Sequence, residues 1–298
     1  MAVRIGFFGP WRNRLGESPL WDGESGVLYW VDSIAARICR AAPTGERFDA
    51  WTMPQTVGSI ALGETGLVVA LRDGFYALDI ENHGAPSPIA LPERDNPAVR
   101  FNDGKADRQG RFLAGTMRVG DANTAPGILY RLDRNGSCSV LERDLAISNA
   151  LCFSPSGDQL YLADTLQGLI WRYSYDVLTG DVADRRLFAD TRTLGSLPDG
   201  ATVDAEGHIW VALVQAQRLA RFAPDGRLVQ TIDLPIPFPS CPAFGGEDLR
   251  TLFVTTIADS GHRLRSDHPD AGRLLAIDGL GVRGLPEARC GTENHMRD

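Results

Sequence analysis

Four oxygen-bearing side chains, Glu17, Asn102, Asn149 and Asp199, stand at matching places in this chain of 298 residues. Glu17 lies 11 residues before Leu28 and Asn149 lies 11 before Leu160, while Asn102 and Asp199 lie 10 before Phe112 and Ile209. Two carboxylates and an amide, with a second amide nearby, form a hard oxygen cage of the kind divalent cations prefer. Taken singly, each residue has a plainer use. Pro198-Asp199-Gly200 and Asn102-Asp103-Gly104 are turn tripeptides, Ser148-Asn149 can bond its own backbone, and Glu17 can be a solvated charge. The common phase favours one shared site.

The elements that must position these residues belong to a repeat. The stretch 100–116, RFNDGKADRQGRFLAGT, presents a polar group, crosses an Asp/Gly/Arg turn and enters a hydrophobic strand. The same order recurs in LGESPLWDGESGVLYWVD, ISNALCFSPSGDQLYLAD and PDGATVDAEGHIWVAL, and more weakly in PAFGGEDLRTLFVTT and GSIALGETGLVVAL. The six copies are anchored at Leu28, Leu67, Phe112, Leu160, Ile209 and Leu252, with spacings of 39 to 49 residues, the period range of propeller blades. Each copy is a β-hairpin signal, two apolar runs joined by residues that supply turn dihedrals. RICRAA, FYALDI, ILYRLD, LIWRYSYD, RLARFAPDG and RLLAIDG add further strands. The expected fold is all-β, a six-bladed β-propeller with a central channel, formed by residues 1–298 as one domain. The first strand of each blade lines such a channel, so residues in phase converge on its axis.

Composition agrees. The chain has 43% hydrophobic residues, enough for a core, and its 32 Gly and 18 Pro suit many tight turns better than long helices. No apolar run reaches the length of a membrane span, and MAVRIGFFGPWRNR lacks the features of a secretory signal. Cys39, Cys138, Cys152, Cys241 and Cys290 are odd in number and widely spaced, as expected of reduced thiols in a cytoplasm. A net charge of −8 with scattered basic residues argues against a nucleic-acid partner. His83, His208, His262, His268 and His295 fit no ligand spacing, and Trp21, Trp30, Trp171 and Trp210 read as blade packing.

In chain order, residues 3–9 form a lone strand expected to complete the last blade near Arg273–Asp278, which removes an exposed edge. The second repeat carries Thr56, Val57 and Ser59 at the inner phase and reads as scaffold. Residues 82–98 read as a polar connection, and 118–126, 190–198 and 258–272 as loops able to grip a ligand.

Together RFNDGK, SNAL and PDG, with LGESPLWD and the C-terminal GRLLAIDGLGVRGLPEARC, resemble the SMP-30/gluconolactonase/regucalcin-like family over essentially the whole chain. The resemblance implies one divalent metal ion in the channel (Ca²⁺, Mg²⁺, Mn²⁺, Fe²⁺ or Zn²⁺) and hydrolysis of a small-molecule sugar lactone in carbohydrate catabolism. It implies Glu17, Asn149 and Asp199 as metal ligands and Arg100 and Asn102 as substrate-binding residues. Some members place an acidic substrate-binding residue shortly after the GTM segment, where this chain reads Arg118-Val119-Gly120-Asp121. Arg118 is therefore a candidate for contacting an anionic substituent, with an exposed loop arginine as the plainer alternative.

Lactone hydrolysis builds negative charge on the carbonyl oxygen as water attacks, which a cation stabilises. Asp199 is the first candidate for orienting or deprotonating that water and Asp103 the second. No G-x-S-x-G segment is present, which disfavours a covalent acyl-enzyme. Three other readings stay open: a propeller phosphotriesterase or aryl-ester hydrolase, favoured by a greasy channel mouth; a non-enzymatic calcium-binding regulatory protein; and an interaction scaffold without metal. The sequence leaves the sugar, the metal and the oligomeric state unspecified.

Overall fold

The computed structural model describes residues 2–43, 47–82, 84–120, 126–261 and 263–291. His83, His262, His295 and residues 121–125, Asp121 among them, lie outside the described residues. Turn residues and Val/Leu/Tyr/Trp runs alternate along the chain, and they fold into six antiparallel sheets. We number these blades 1–6 in chain order. Their inner strands are Gly16–Asp22, Val57–Gly63, Val99–Ala106, Ser148–Phe153, Pro198–Val203 and Pro239–Gly245. Each inner strand packs on the next and the sixth packs on the first, which closes the ring around a channel.

Blade 6 is completed from the other end of the chain. Arg4–Phe8 pairs antiparallel with Leu274–Asp278, Arg4 opposite Asp278 and Phe8 opposite Leu274, as the sequence leads one to expect. Two features differ from that reading. The connection 82–98 contains the strand Ser87–Ala90, which forms the outer edge of blade 2, where Pro88 is tolerated. Near the C-terminus, Arg289–Cys290 runs parallel to Leu62–Gly63 and gives blade 2 a fifth strand.

The core lies between blades. Val31 and Ile38 of blade 1 meet Leu67 and Val69 of blade 2, all fully buried. Trp30 and Trp210 are fully buried, and Trp210 meets Phe244 of blade 6 edge-on with ring centroids 6.2 Å apart. Trp21 stacks on Phe253 at 5.9 Å, and Trp171 lies under the Arg185 guanidinium at 4.2 Å. These contacts are blade packing. The second repeat is degenerate for a steric reason: a Cβ on Gly58 would stand 2.5 Å from the Asn102 carbonyl oxygen, so glycine lets blade 2 approach the inner strand of blade 3. Among the described residues no helix is long and apolar enough to cross a membrane.

Candidate active site

Inner strands are bulged where the channel residues sit. Pairing with the second strand of the blade slips between Glu17 and Leu20, Phe101 and Gly104, Asn149 and Cys152, Pro198 and Ala201, and Pro239 and Pro242. A bulge breaks the ladder and re-aims side chains; in five of the blades it does so at one height. Ser18 and Ala150, which follow Glu17 and Asn149, have φ values of 46° and 53°. That left-handed backbone costs a non-glycine residue roughly 1–2 kcal/mol.

Two buried carboxylates hold the chain where it enters these strained strands. Asp32 accepts from the backbone N–H groups of Arg14 at 2.9 Å and Leu15 at 3.2 Å. Asp164 accepts from Ala146 at 3.0 Å and Ile147 at 3.3 Å. They are the final residues of the repeated YWVD and YLAD segments, so the repeat encodes the clamp as well as the residues it positions. Asp164→Ala leaves two backbone donors unmatched and is expected to lower stability by roughly 2–4 kcal/mol in urea denaturation. Divalent-cation affinity should fall with it; a stability loss with unchanged affinity would make the clamp a purely structural device.

Glu17, Arg100, Asn102, Asn149 and Asp199 line one cavity of 270 Å³ at this end of the channel. Asn149 and Asp199 are 3% and 7% exposed. A relay of hydrogen bonds fixes the amides. Arg100 Nη1 donates to Asn102 Oδ1 at 3.0 Å, and Asn102 Nδ2 donates to Asn149 Oδ1 at 2.9 Å and to the Ser148 carbonyl at 3.0 Å. Asn149 Nδ2 donates to Thr165 Oγ1 at 2.8 Å. Asn149 Oδ1 thereby keeps one lone pair for a further partner.

Burial, followed by the charges of Asp199 and Asp103, raises the Glu17 carboxyl well above the usual range, with Arg100 opposing. Burial and then Asp103 push Asp199 up to about 8, against Arg100 and the Asn149 amide. Burial lowers the Arg100 guanidinium to about 10, with the two carboxylates opposing. Two carboxyls thus sit in a desolvated pocket with too little positive charge beside them. A divalent cation supplies that charge, and the donors are hard oxygens, so Glu17, Asn149 and Asp199 fit such an ion.

Asp103 sits below this cavity. Its carboxylate accepts from the N–H groups of Gly104 and Leu151, both at 2.8 Å, and so ties blade 3 to blade 4. Burial pushes it up to about 6, with those two donors opposing. It lines a chamber of 10 Å³ on the channel axis with Lys105, Cys241 and Glu287. Arg118 ends the second strand of blade 3, its N–H donates to the Ala146 carbonyl at 3.5 Å, and it is not part of the cavity wall.

The cavity holds residues that the sequence reading missed. Arg263 and Ser260, from the 258–272 loop, and Gln215 of blade 5 contribute to the wall. An apolar collar surrounds them, including Leu15, Ile147, Leu197, Val214 and Ile257. Its signal was present: Leu15, Ile147 and Leu197 each stand two residues before Glu17, Asn149 and Asp199, and Arg100 stands two before Asn102. Arg263 belongs to no repeat position, so no phase argument reaches it.

A second acidic group, Asp204, Glu206 and His208, brings three potential ligand atoms within 4.8 Å of one another. A cation already lies among them: Arg221 Nη2 is 2.7 Å from both Asp204 Oδ2 and Glu206 Oε2. Asp204 also accepts from Trp210 Nε1 at 3.0 Å. Its role is to hold the turn of blade 5.

Fold and donor set define a class: a six-bladed propeller with an oxygen-rich pocket at one end of its channel. The family model described as SMP-30/Gluconolactonase/LRE-like region matches residues 15–258, and the chain belongs to this family. It is 39% identical over 273 residues to 6-deoxy-6-sulfogluconolactonase of Pseudomonas putida, covering 88% of this chain and 90% of the relative. It is 34% identical over 284 residues to regucalcin of Xenopus laevis, covering 91% and 93%. Among solved structures, the calcium-binding protein regucalcin of Agrobacterium tumefaciens superposes with a TM-score of 0.86 at 28% identity, over 94% of each chain.

Proposed function

We propose that this enzyme hydrolyses a sugar-acid lactone to the open-chain acid, with a divalent cation held by Glu17, Asn149 and Asp199. The observation that carries the reading is the convergence of those three side chains with Arg100 and Asn102 in one 270 Å³ cavity. The Pseudomonas putida relative, named for a sulfonated gluconolactone, supports the sugar-acid class and admits an anionic substituent. A cation so held supplies Lewis acidity to the carbonyl and acidifies water. Asp199 orients the attacking water and takes its proton. Arg100 donates to substrate oxygens, while Asn102 holds Arg100 and Asn149 in register.

The test is proton release from a panel of aldonolactones, using chelator-stripped protein and the same protein with each metal restored. Turnover is expected only after restoration, and a rate equal to the spontaneous blank with every metal rejects the reading. The apolar collar favours one alternative, an ester or lactone hydrolase that takes an apolar acyl or aryl group. Faster turnover of a phenyl ester than of any aldonolactone would select it.

A further inference from the structure

Charge is distributed across the cavity in a definite way. Arg100 belongs to blade 3 and Arg263 to the loop of blade 6, and blades 3 and 6 are opposite in a ring of six. Glu17, Asn149 and Asp199 rise from blades 1, 4 and 5 between them. The wall therefore carries two guanidiniums and two carboxylates. Their charges cancel, and a divalent cation on the carboxylates leaves the loaded cavity with two positive charges in excess. A neutral lactone leaves that excess unmatched in a desolvated space, whereas an anionic one offsets part of it.

Arg263 is held in place by its own loop. Ser260 N–H donates to the Leu264 carbonyl at 2.8 Å, and Ser260 Oγ accepts from the N–H groups of Arg263 at 3.2 Å and Leu264 at 2.8 Å. Leu264 packs into the apolar collar against Leu15, Val214 and Ile257, which anchors the turn. The acidic residues of the same loop are engaged elsewhere. Asp259 pairs with Arg14 at 3.0 Å and Asp270 with Arg273 at 3.2 Å. Ser260 and Gln215 lie on the same wall as Arg263 and offer further hydrogen bonds to an anion's oxygens.

We infer that the substrate is a lactone bearing a fixed negative charge far from its carbonyl, and that Arg263 receives that charge. This rests on the lactonase reading for the carbonyl end and extends it to the opposite wall. The anion is a sulfonate, phosphate or carboxylate, each of which a guanidinium grips through two parallel hydrogen bonds. Arg263 is a specificity residue, since it contacts the substrate away from the reacting atoms.

The experiment uses the metal-restored full chain with glucono-1,5-lactone and its 6-deoxy-6-sulfo and 6-phospho counterparts. Wild-type kcat/KM is expected to favour the charged lactones, and Arg263→Gln to reduce the charged-to-neutral ratio by roughly ten- to a hundredfold, mainly through KM. Arg263→Lys should restore part of that ratio, and added salt should compress it. Calorimetric binding of the hydrolysed acids, sulfonated against neutral, supplies a readout that needs no turnover. If no lactone is hydrolysed yet the sulfonated acid binds more tightly and loses that advantage in Arg263→Gln, the anion site stands and the hydrolase reading fails. If the lactones are hydrolysed but the ratio is the same in wild type and Arg263→Gln, the anion site is overturned and the hydrolase reading stands.

Discussion

Asp199→Ala is expected to reduce metal-restored lactone hydrolysis by roughly 10²–10⁴-fold, read as proton release above the spontaneous rate. The proposal gives Asp199 two tasks, and the variants separate them. Alanine removes both the cation donor and the base. Asp199→Asn keeps an oxygen that can face a cation but cannot take a proton, so cation binding should survive in part while turnover is lost. Proton linkage supplies an independent check. In the metal-free protein Asp199 keeps its proton up to about 8, whereas its ordinary value is 3.8. Between those values the folded state binds more protons than the unfolded chain, so this group makes the metal-free protein less stable as pH rises. Glu17 is displaced in the same direction. Cation binding must expel these protons, so affinity should increase across the same window, with protons released on binding. Affinity independent of pH in the wild type, or a pH dependence untouched by Asp199→Ala, would show that the cation sits elsewhere.

The catalytic end of the molecule was legible because propeller symmetry converts distance in sequence into phase. Glu17, Asn149 and Asp199 are separated by 132 and 50 residues, yet each stands 10 or 11 residues before its anchor. The ring places equal phases at equal heights, so the alignment of repeats already contained the meeting of these side chains. The same alignment contained the collar two residues earlier, where Leu15, Ile147 and Leu197 point to the mouth. What lay beyond reach was whatever the repeat does not encode. Arg263 comes from a loop inserted in one blade only, and its position depends on how Ser260 and Leu264 fold that loop. Arg118, which lies close in sequence to the organising stretch, instead ends a strand outside the cavity wall. The short strand Ser87–Ala90 was hidden by two prolines, Pro86 and Pro88, that an edge position accepts.

The far end of the channel shows the same limit and carries the largest expected effect on stability. Lys105 is the only lysine in the chain and lies within the organising RFNDGK segment. Its ammonium meets Glu287, 182 residues away, at 2.5 Å, with side-chain exposures of 18% and 9%. Burial disfavours the charged amine, but the carboxylate beside it outweighs burial and its pKa is raised. Glu287 arrives on a C-terminal strap fixed at several blades. Ala205 N–H donates to the Arg283 carbonyl at 2.8 Å, Gly284 N–H to Leu249 at 2.8 Å, and Arg289 Nη2 to Asp22 at 2.9 Å. Removing the carboxylate alone leaves a buried cation without a counter-charge. Glu287→Ala should therefore cost roughly 3–5 kcal/mol, measured by urea denaturation. The double variant Lys105→Met/Glu287→Leu removes both charges and should recover most of that loss, because an apolar pair of similar volume is often neutral or better in such a place. Recovery in the double variant would mean that the pair's main cost lies in breaking it. A single variant as stable as the wild type would mean that the strap is held by its backbone contacts and that Lys105 finds water in its chamber.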